Sequence, residues 1–304
     1  MKIMSFFHPQ FEFLNSLLDF VNKKNYKRID LGKKWADHVN EKSEGELQRL
    51  VDKSTNLDTE LHFIHMCTVA KEVNTGTTCG DLLSWIQKYS PSHMGKAFLS
   101  TYEIEAPPSL DQSYELLSTW YTSYYSFVEP KLTKELSEVA RQSSVLVKKE
   151  TPIKAINAIT NGLTLEGDVE NLTVYLLPQF HGRPVLFHKQ TDTVHIYGYA
   201  ADTITLHNGE LAPVYTRTQQ ALNDINRLKI LQFIEKGPCS FKDIHDCFSL
   251  AKSTVHHHLL TLRSAGLINV HQPLGKHVWY SYRSEGLRNF EQRISLLIEG
   301  NVHE

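Results

Sequence analysis

Only four cysteines, Cys67, Cys79, Cys239 and Cys247, occur in the 304 residues, and their irregular spacing offers no disulfide framework. Stability must come from an apolar core, and the expected setting is the cytoplasm. No run approaches the ~20 apolar residues that span a bilayer, so no membrane partner is expected. The opening MKIMSFFHPQFEFLNSLLDFV carries Asn and Asp inside its apolar stretch. It reads as an amphipathic helix with Phe7, Phe11, Leu14, Leu18 and Val21 on one side, not as a secretory signal. Internal repeats and low-complexity linkers are missing, which favours domains packed firmly on one another over domains joined by a flexible tether. Catalytic signatures are missing too: there is no G-x-S-x-G elbow, no H-E-x-x-H, no phosphate loop and no dinucleotide fingerprint. Gly76 and Gly80 flank a polar Thr77-Thr78-Cys79 turn that lacks the phosphate-loop lysine. No catalytic residue is assigned, and no cofactor is expected.

What is present concentrates between Ala221 and Arg283. The spacing predicts a helix through LNDINRLKILQFIEK, with Leu222, Ile225, Leu228, Leu231 and Ile234 on one face and Gly237-Pro238 as its stop. A second helix starts at Ser240, capped with Asp243 three residues on, and buries Phe241, Ile244 and Phe248. A third runs through AKSTVHHHLLTLRSAG, with Val255, Leu259 and Leu262 inward and Gly266 at its end. Its opposite face carries Lys252, Ser253, His256 and His257, a polar side free to enter a major groove about 12 Å wide. LINVH and HVWYSYR read as strands joined by Gln272-Pro273-Leu274-Gly275-Lys276, a hairpin with a cation at its tip. Together these elements form a winged helix-turn-helix, which makes double-stranded DNA the first partner to consider.

Charge agrees with that division. Ile225 to Arg283 carries +5, the whole chain −2, and the remainder therefore −7. A basic module on an acidic body suits directional docking on a phosphate lattice. The expected DNA contacts are Lys252, Ser253, His256 and His257 at base edges or phosphates, Thr254 and Arg263 supporting at the backbone, and Lys276 at the wing tip. An unperturbed histidine titrates near pH 6.5 and phosphate favours its charged form, so operator binding is expected to be tighter at pH 6 than at pH 8. His258 reads as a partly packed histidine bonded to backbone or phosphate.

The order R-L-x-I-L at Arg227 to Leu231, S-T-V-x-H-H-L at Ser253 to Leu259, L-R-x-A-G-L-I at Leu262 to Ile268 and W-Y-S-Y at Trp279 to Tyr282 resembles the ArsR/SmtB type of bacterial regulator. The resemblance covers roughly the last 85 residues. It implies a homodimer that blocks transcription until an effector binds. The family's metal ligands do not carry over. Its Cys-x-Cys pair aligns with Ser240 and Lys242, and SEGLRNFEQRISLLIEGNVHE offers only His303 in place of the ligands of the last helix. Adjacent helix residues point about 100° apart, so His256-His257-His258 cannot converge on one ion either. No metal site is assigned.

The tail from Ser284 to Gly300 reads as a last helix whose Leu287, Phe290, Ile294 and Leu297 form a dimerisation stripe, with folding back on its own domain as the alternative. Helical patterns fill most of residues 1–160. After Asn161, LTVYLLPQ, PVLFHKQ and TVHIYGYA read as a small antiparallel meander, and TITLHNGELAPVY as a hairpin turning at Asn208-Gly209. Tyr114, Trp120, Tyr121, Tyr124, Tyr125 and Phe127 could line an effector pocket, although aromatics at helical spacing more often build a core. His62 and His65 have ligand spacing, but Cys67 turns away from them.

The expected fold is α+β: a mainly helical amino-terminal domain (1–160) with a small antiparallel sheet (161–216), then a winged helix-turn-helix domain (217–304). The function expected is a cytoplasmic, homodimeric, DNA-binding transcriptional repressor with a small-molecule effector or a protein partner at its front domain. A non-catalytic scaffold, a metal-responsive repressor and a fused enzyme are the alternatives.

Overall fold

Helix starts follow local chemistry. Among the described residues proline opens three α-helices, where its missing N–H costs nothing, and the side chains of Thr78, Asp224 and Ser240 cap three more. The computed structural model describes residues 1–70, 73–206, 210–273 and 277–299. In chain order the helices are α1 (Pro9–Val21), α2 (Gly32–Lys42), α3 (Glu46–Lys53), α4 (Leu57–Val69), α5 (Cys79–Gln87), α6 (Lys96–Thr101), α7 (Asp111–Trp120), α8 (Ser126–Lys149), α9 (Pro152–Ile159), α10 (Pro213–Leu222), α11 (Ile225–Glu235), α12 (Phe241–Cys247), α13 (Lys252–Ser264) and α14 (Ser284–Ile298). The strands are β1 (Lys2–Ser5), β2 (Leu163–Glu166), β3 (Thr173–Gln179), β4 (Phe187–Gln190), β5 (Val194–Ala200), β6 (Cys239–Ser240), β7 (Ile268–Pro273) and β8 (Trp279–Tyr282). Two units result, one of Met4–Ser144 with Thr173–Ala201, the other of Met1–Ile3, Val145–Leu172 and Asp202–Glu304. No helix among the described residues is long and apolar enough to cross a membrane.

In the first unit α1 is central and buried nearly all round, not the one-sided helix expected. Phe11, Phe13, Leu14 and Leu17 are fully buried, and so are the polar side chains Gln10, Glu12 and Ser16. Buried polar groups need partners. Gln10 Nε2 donates to the Thr75 and Thr78 carbonyls, and Ser16 Oγ accepts from Trp120 Nε1 at 2.9 Å. The Glu12 carboxylate accepts from the backbone N–H groups of Phe180 and His181 and from His181 Nδ1 at 2.6 Å, while His181 Nε2 pairs with the Tyr124 hydroxyl at 2.8 Å. Trp120, Tyr124 and Tyr125 therefore serve the core, whereas Phe127 is 76% exposed. The Gly76–Gly80 turn is a cap: Asp81 Oδ2 accepts from Thr77 N and Thr78 N, and Thr78 Oγ1 accepts from Asp81 N.

The sheet of this unit runs β1-β3-β5-β4. It is mixed, not an antiparallel meander: β3 pairs parallel with β5 from Thr173↔Val194 to Gln179↔Ala200, and only β4 is antiparallel to β5. Fully apolar runs such as Val174–Leu177 are what a strand covered on both faces requires. β2 lies in the other unit, and the hairpin expected at TITLHNGELAPVY is not formed. Residues 203–206 are not strand, Asn208-Gly209 lies outside the described residues, and Pro213 starts α10.

His65 is buried in this first unit, stacked on Phe187 at 4.8 Å and edge-on to Phe11. Neither of its ring nitrogens has a partner among the described residues. Burial, reinforced by Lys189, His62 and His8, holds its pKa down to about 3. Burial also lowers His188 to about 4, and lowers His8, His62 and His195. Asp19 moves the other way, to about 7, chiefly by burial. Below pH 6.5 the unfolded chain takes up histidine protons that the folded chain refuses, so stability falls with acid. Between pH 7 and 4 the folded chain alone protonates Asp19, which offsets part of that loss. Each group contributes at most about 1.4 kcal/mol per pH unit, and the histidines outnumber the carboxyl. The urea midpoint should therefore drop from pH 7 to pH 4.5, with a shallower drop in His65→Phe; a midpoint independent of pH would contradict this.

Candidate nucleic-acid interface

The second unit is built on a core of Ala221, Ile230, Leu231, Ile234, Ile244, Val255, Leu259, Leu262, Leu267 and Ile268. Asp224 caps α11 by accepting from Asn226 N and Arg227 N, which starts that helix at Ile225 and leaves residues up to Leu222 to a separate α10. The inward face consequently differs from the expected one. Ile230, Leu231 and Ile234 are buried, whereas Ile225 and Leu228 are 64% and 42% exposed. α12 has the expected capping box, with Ser240 Oγ accepting from Asp243 N and Asp243 Oδ2 from Ser240 N. β6, β8 and β7 form the wing sheet, with antiparallel pairs Cys239↔Tyr280 and Val270↔Tyr280.

β2 extends that sheet as an edge strand, parallel to β7 from Leu163↔Val270 to Glu166↔Pro273. The boundary expected at 217 is thus crossed, because the backbone of residues 163–166 finds its hydrogen-bond partners on β7. Gly162 makes the approach feasible: its φ is +116° and a Cβ there would lie 2.5 Å from the Ile268 carbonyl oxygen. Asn157 Nδ2 donates to Thr164 Oγ1 and to Asn269 Oδ1, both at 2.9 Å, and His271 Nδ1 lies 2.7 Å from Glu166 Oε1.

α13 presents the surface that matters. Val255, Leu259 and Leu262 are at most 3% exposed, while Lys252, Ser253, His256 and His257 are exposed together on the opposite side and Thr254 is half-buried between. Ala251 precedes the helix without a side-chain cap, which leaves first-turn N–H groups for an anion such as phosphate. His258 is buried, with neither ring nitrogen bonded among the described residues, so the hydrogen bond expected of it is not formed. Burial lowers its pKa, opposed by Asp224. Gly266 closes the helix with φ +67°.

Arg263 requires a correction. It was expected at the DNA backbone, but its guanidinium turns inward and donates to the carbonyls of Asn161 at 2.6 Å and Thr160 at 2.9 Å. These are orphan acceptors at the end of α9, and desolvation drops the Arg263 pKa to about 10. Arg283 likewise donates to the Gly266 carbonyl, and Arg227 to those of Ala221 and Gln220. The outward cations among the described residues of 225–283 are lysines: Lys229, Lys236, Lys242 and Lys252. Lys276, expected at the wing tip, lies outside the described residues.

α14 begins against the winged core, where a Cβ on Gly286 would sit 2.3 Å from the Gly266 carbonyl oxygen and Leu287 packs on the apolar cluster. Phe290, Ile294 and Leu297 are only half-buried, and Leu296 and Ile298 are 47% and 79% exposed. The stripe is therefore shared between the chain's own core and an uncovered face. Arg217, which the sequence reading passed over, pairs with Asp202 and donates to the Ser264 carbonyl at 2.8 Å, fixing the end of α13. Its signal was the Pro213-headed pattern Val214, Thr218, Ala221, which marks α10. Among the described residues no three His, Cys, Asp or Glu side chains are placed to hold a metal ion.

Residues 224–270 match the family model described as bacterial regulatory protein, arsR family. The transcriptional repressor SdpR of Bacillus subtilis (strain 168) is 31% identical over 70 residues, which cover 23% of this chain and 77% of that protein. Similar solved structures include an ArsR-like transcriptional regulator from Rhodococcus sp. RHA1, with 19% identity and a TM-score of 0.26 over 29% of this chain and 81% of that one. A homodimeric winged helix-turn-helix DNA-binding domain from Mycobacterium bovis is 21% identical, with a TM-score of 0.24 over 30% of this chain and 83% of the other.

Proposed function

The chain belongs to the arsR family of bacterial regulatory proteins and is a DNA-binding transcriptional regulator; from that premise we propose that it is a cytoplasmic, homodimeric repressor whose α13 reads an operator and whose first unit binds an effector. The observation that carries the reading is the sidedness of α13, with Lys252, Ser253, His256 and His257 exposed together opposite its buried apolar face. Lys252 and the first-turn N–H groups position the helix on phosphates, and Ser253, His256 and His257 meet base edges, with Thr254 beside them. Lys276 contacts a phosphate from the wing. Two copies pair through Phe290, Ile294 and Leu297, with Leu287 serving the monomer core as well. This pairing is supported by the apolar face that α14 leaves uncovered. It sets two recognition helices on half-sites about 34 to 36 Å apart.

The test separates positioning from reading. Lys276→Ala should weaken binding to all duplexes alike and lower the salt slope by about one unit, whereas His256→Ala should change sequence preference in a selection from random duplexes. Identical behaviour of the two variants would refute this assignment of roles, and a monomer that bound a palindromic site tightly would refute the pairing.

A further inference from the structure

Resting on the effector-sensing reading, we propose that a pocket of the first unit binds a small zwitterion with an aliphatic body, such as a short free peptide, its ammonium directed inward and its carboxylate outward. The pocket has a volume of about 650 Å³, within the range of small-molecule sites. Three kinds of side chain line it.

Its buried polar side chains include an acceptor left without a partner among the described residues. Asn15, Asp19 and Gln179 line it and are 3%, 9% and 2% exposed. Asn15 Nδ2 is used on Gln179 Oε1 at 3.2 Å, and Gln179 Nε2 on the Val185 carbonyl at 2.5 Å. Asn15 Oδ1 has no partner among the described residues, and Asp19 is bonded only through Oδ1, by Asn25 Nδ2 at 3.1 Å. Asp19 Oδ2 and Gln179 Oε1 close over Gly182, where a Cβ would lie 2.9 and 3.0 Å from them, so glycine at this position lets the two oxygens come together. The unpartnered Asn15 Oδ1 beside the Asp19 carboxyl favours a ligand that brings N–H bonds and positive charge, which is what a primary ammonium supplies. Burial keeps the lone Asp19 carboxyl hard to ionise, and an ammonium beside it would relieve that penalty.

Leu18, Val21, Val185 and Phe187 supply an apolar wall, suited to a hydrocarbon body. Lys23, Lys24 and Lys189 line the same pocket, against Asp58 and the buried Asp19, and the first two lysines are exposed. The excess of cations there favours an anionic outer end.

The experiment uses the full chain and leucyl-leucine as the probe, with N-acetyl-leucyl-leucine and leucyl-leucinamide as partners lacking one charge each. At about tenfold its Kd, leucyl-leucine should raise the melting temperature by about 3 °C or more, and each blocked peptide should raise it by less than about a third as much. Asp19→Asn should abolish the preference over the N-acetyl peptide. Should that buried substitution unfold the unit, the exposed pair Lys23→Ala with Lys24→Ala should still erase the preference over the amide. No shift with any peptide, or equal shifts with all three, would overturn the proposal. Operator affinity measured alongside separates the two readings: a zwitterion that binds without changing it keeps the pocket and removes the sensing role.

Discussion

A chain carrying Lys252→Glu with His257→Glu should bind an operator duplex at least ~100-fold more weakly at about 0.1 M salt, with an unchanged melting temperature. Both side chains are exposed at the outer face of α13, clear of the core formed by Val255, Leu259 and Leu262. Two carboxylates there replace the attraction of Lys252 for phosphate with repulsion in the part of the helix nearest the groove. A bidentate base contact contributes about 1–3 kcal/mol, and each lost phosphate contact removes about one counterion from the release on binding. The log–log salt slope should therefore become shallower along with the loss of affinity. Fluorescence anisotropy across a salt series reads both quantities, and circular dichroism reads the melting temperature. Retained affinity with an unchanged slope would place the interface elsewhere on the unit. The same series run at pH 6 and pH 8 checks the expected pH dependence of operator binding, which affinity that is flat at fixed salt would contradict.

Glu12→Ala should be the most damaging single change in the first unit, destabilising it by about 3–5 kcal/mol. The Glu12 side chain is fully buried and accepts from two backbone N–H groups and the His181 ring. Removing it strands those donors where no water replaces the acceptor, and adds a cavity beneath Trp35, Tyr124 and Tyr125, whose rings surround His181. Trp35, Trp85 and Trp120 all lie in this unit, so urea unfolding followed by tryptophan fluorescence reports it directly. The midpoint should fall sharply. Glu12→Gln should fall less, since one oxygen remains to accept. A midpoint within experimental scatter of the parent would show that the buried carboxylate does not hold the Phe180–Arg183 turn.

The DNA-reading half was legible because its information is local. Ser240 with Asp243, Gly266 after a helical period, and Val255, Leu259, Leu262 at spacings of four and three are signals carried by neighbours in sequence, and the structure uses each as expected. The misread face of the preceding helix has an equally local cause. Asp224 stops the chain from continuing a helix through Leu222, and moving the start to Ile225 changes which residues turn inward. Sequence pattern could not reveal that Arg263 is spent on Asn161 and Thr160, since those acceptors lie about a hundred residues away. The pocket of the first unit was hidden for the same reason. Asn15 and Asp19 appeared only as polar interruptions of an apolar helix, and their partner Gln179 arrives from a distant strand.

The sequence by itself determined the second and third helices of the winged reader, the Ser240 cap, the polar side of α13 and the family it belongs to. Tertiary structure alone decided that β2 joins the wing sheet, that β3 and β5 run parallel, and which cations and carboxylates remain available to a ligand. The physical reason is range. Caps and amphipathic periods act within a few residues, whereas strand partners and the hydrogen bonds of buried polar side chains are chosen among groups that only the folded chain brings together.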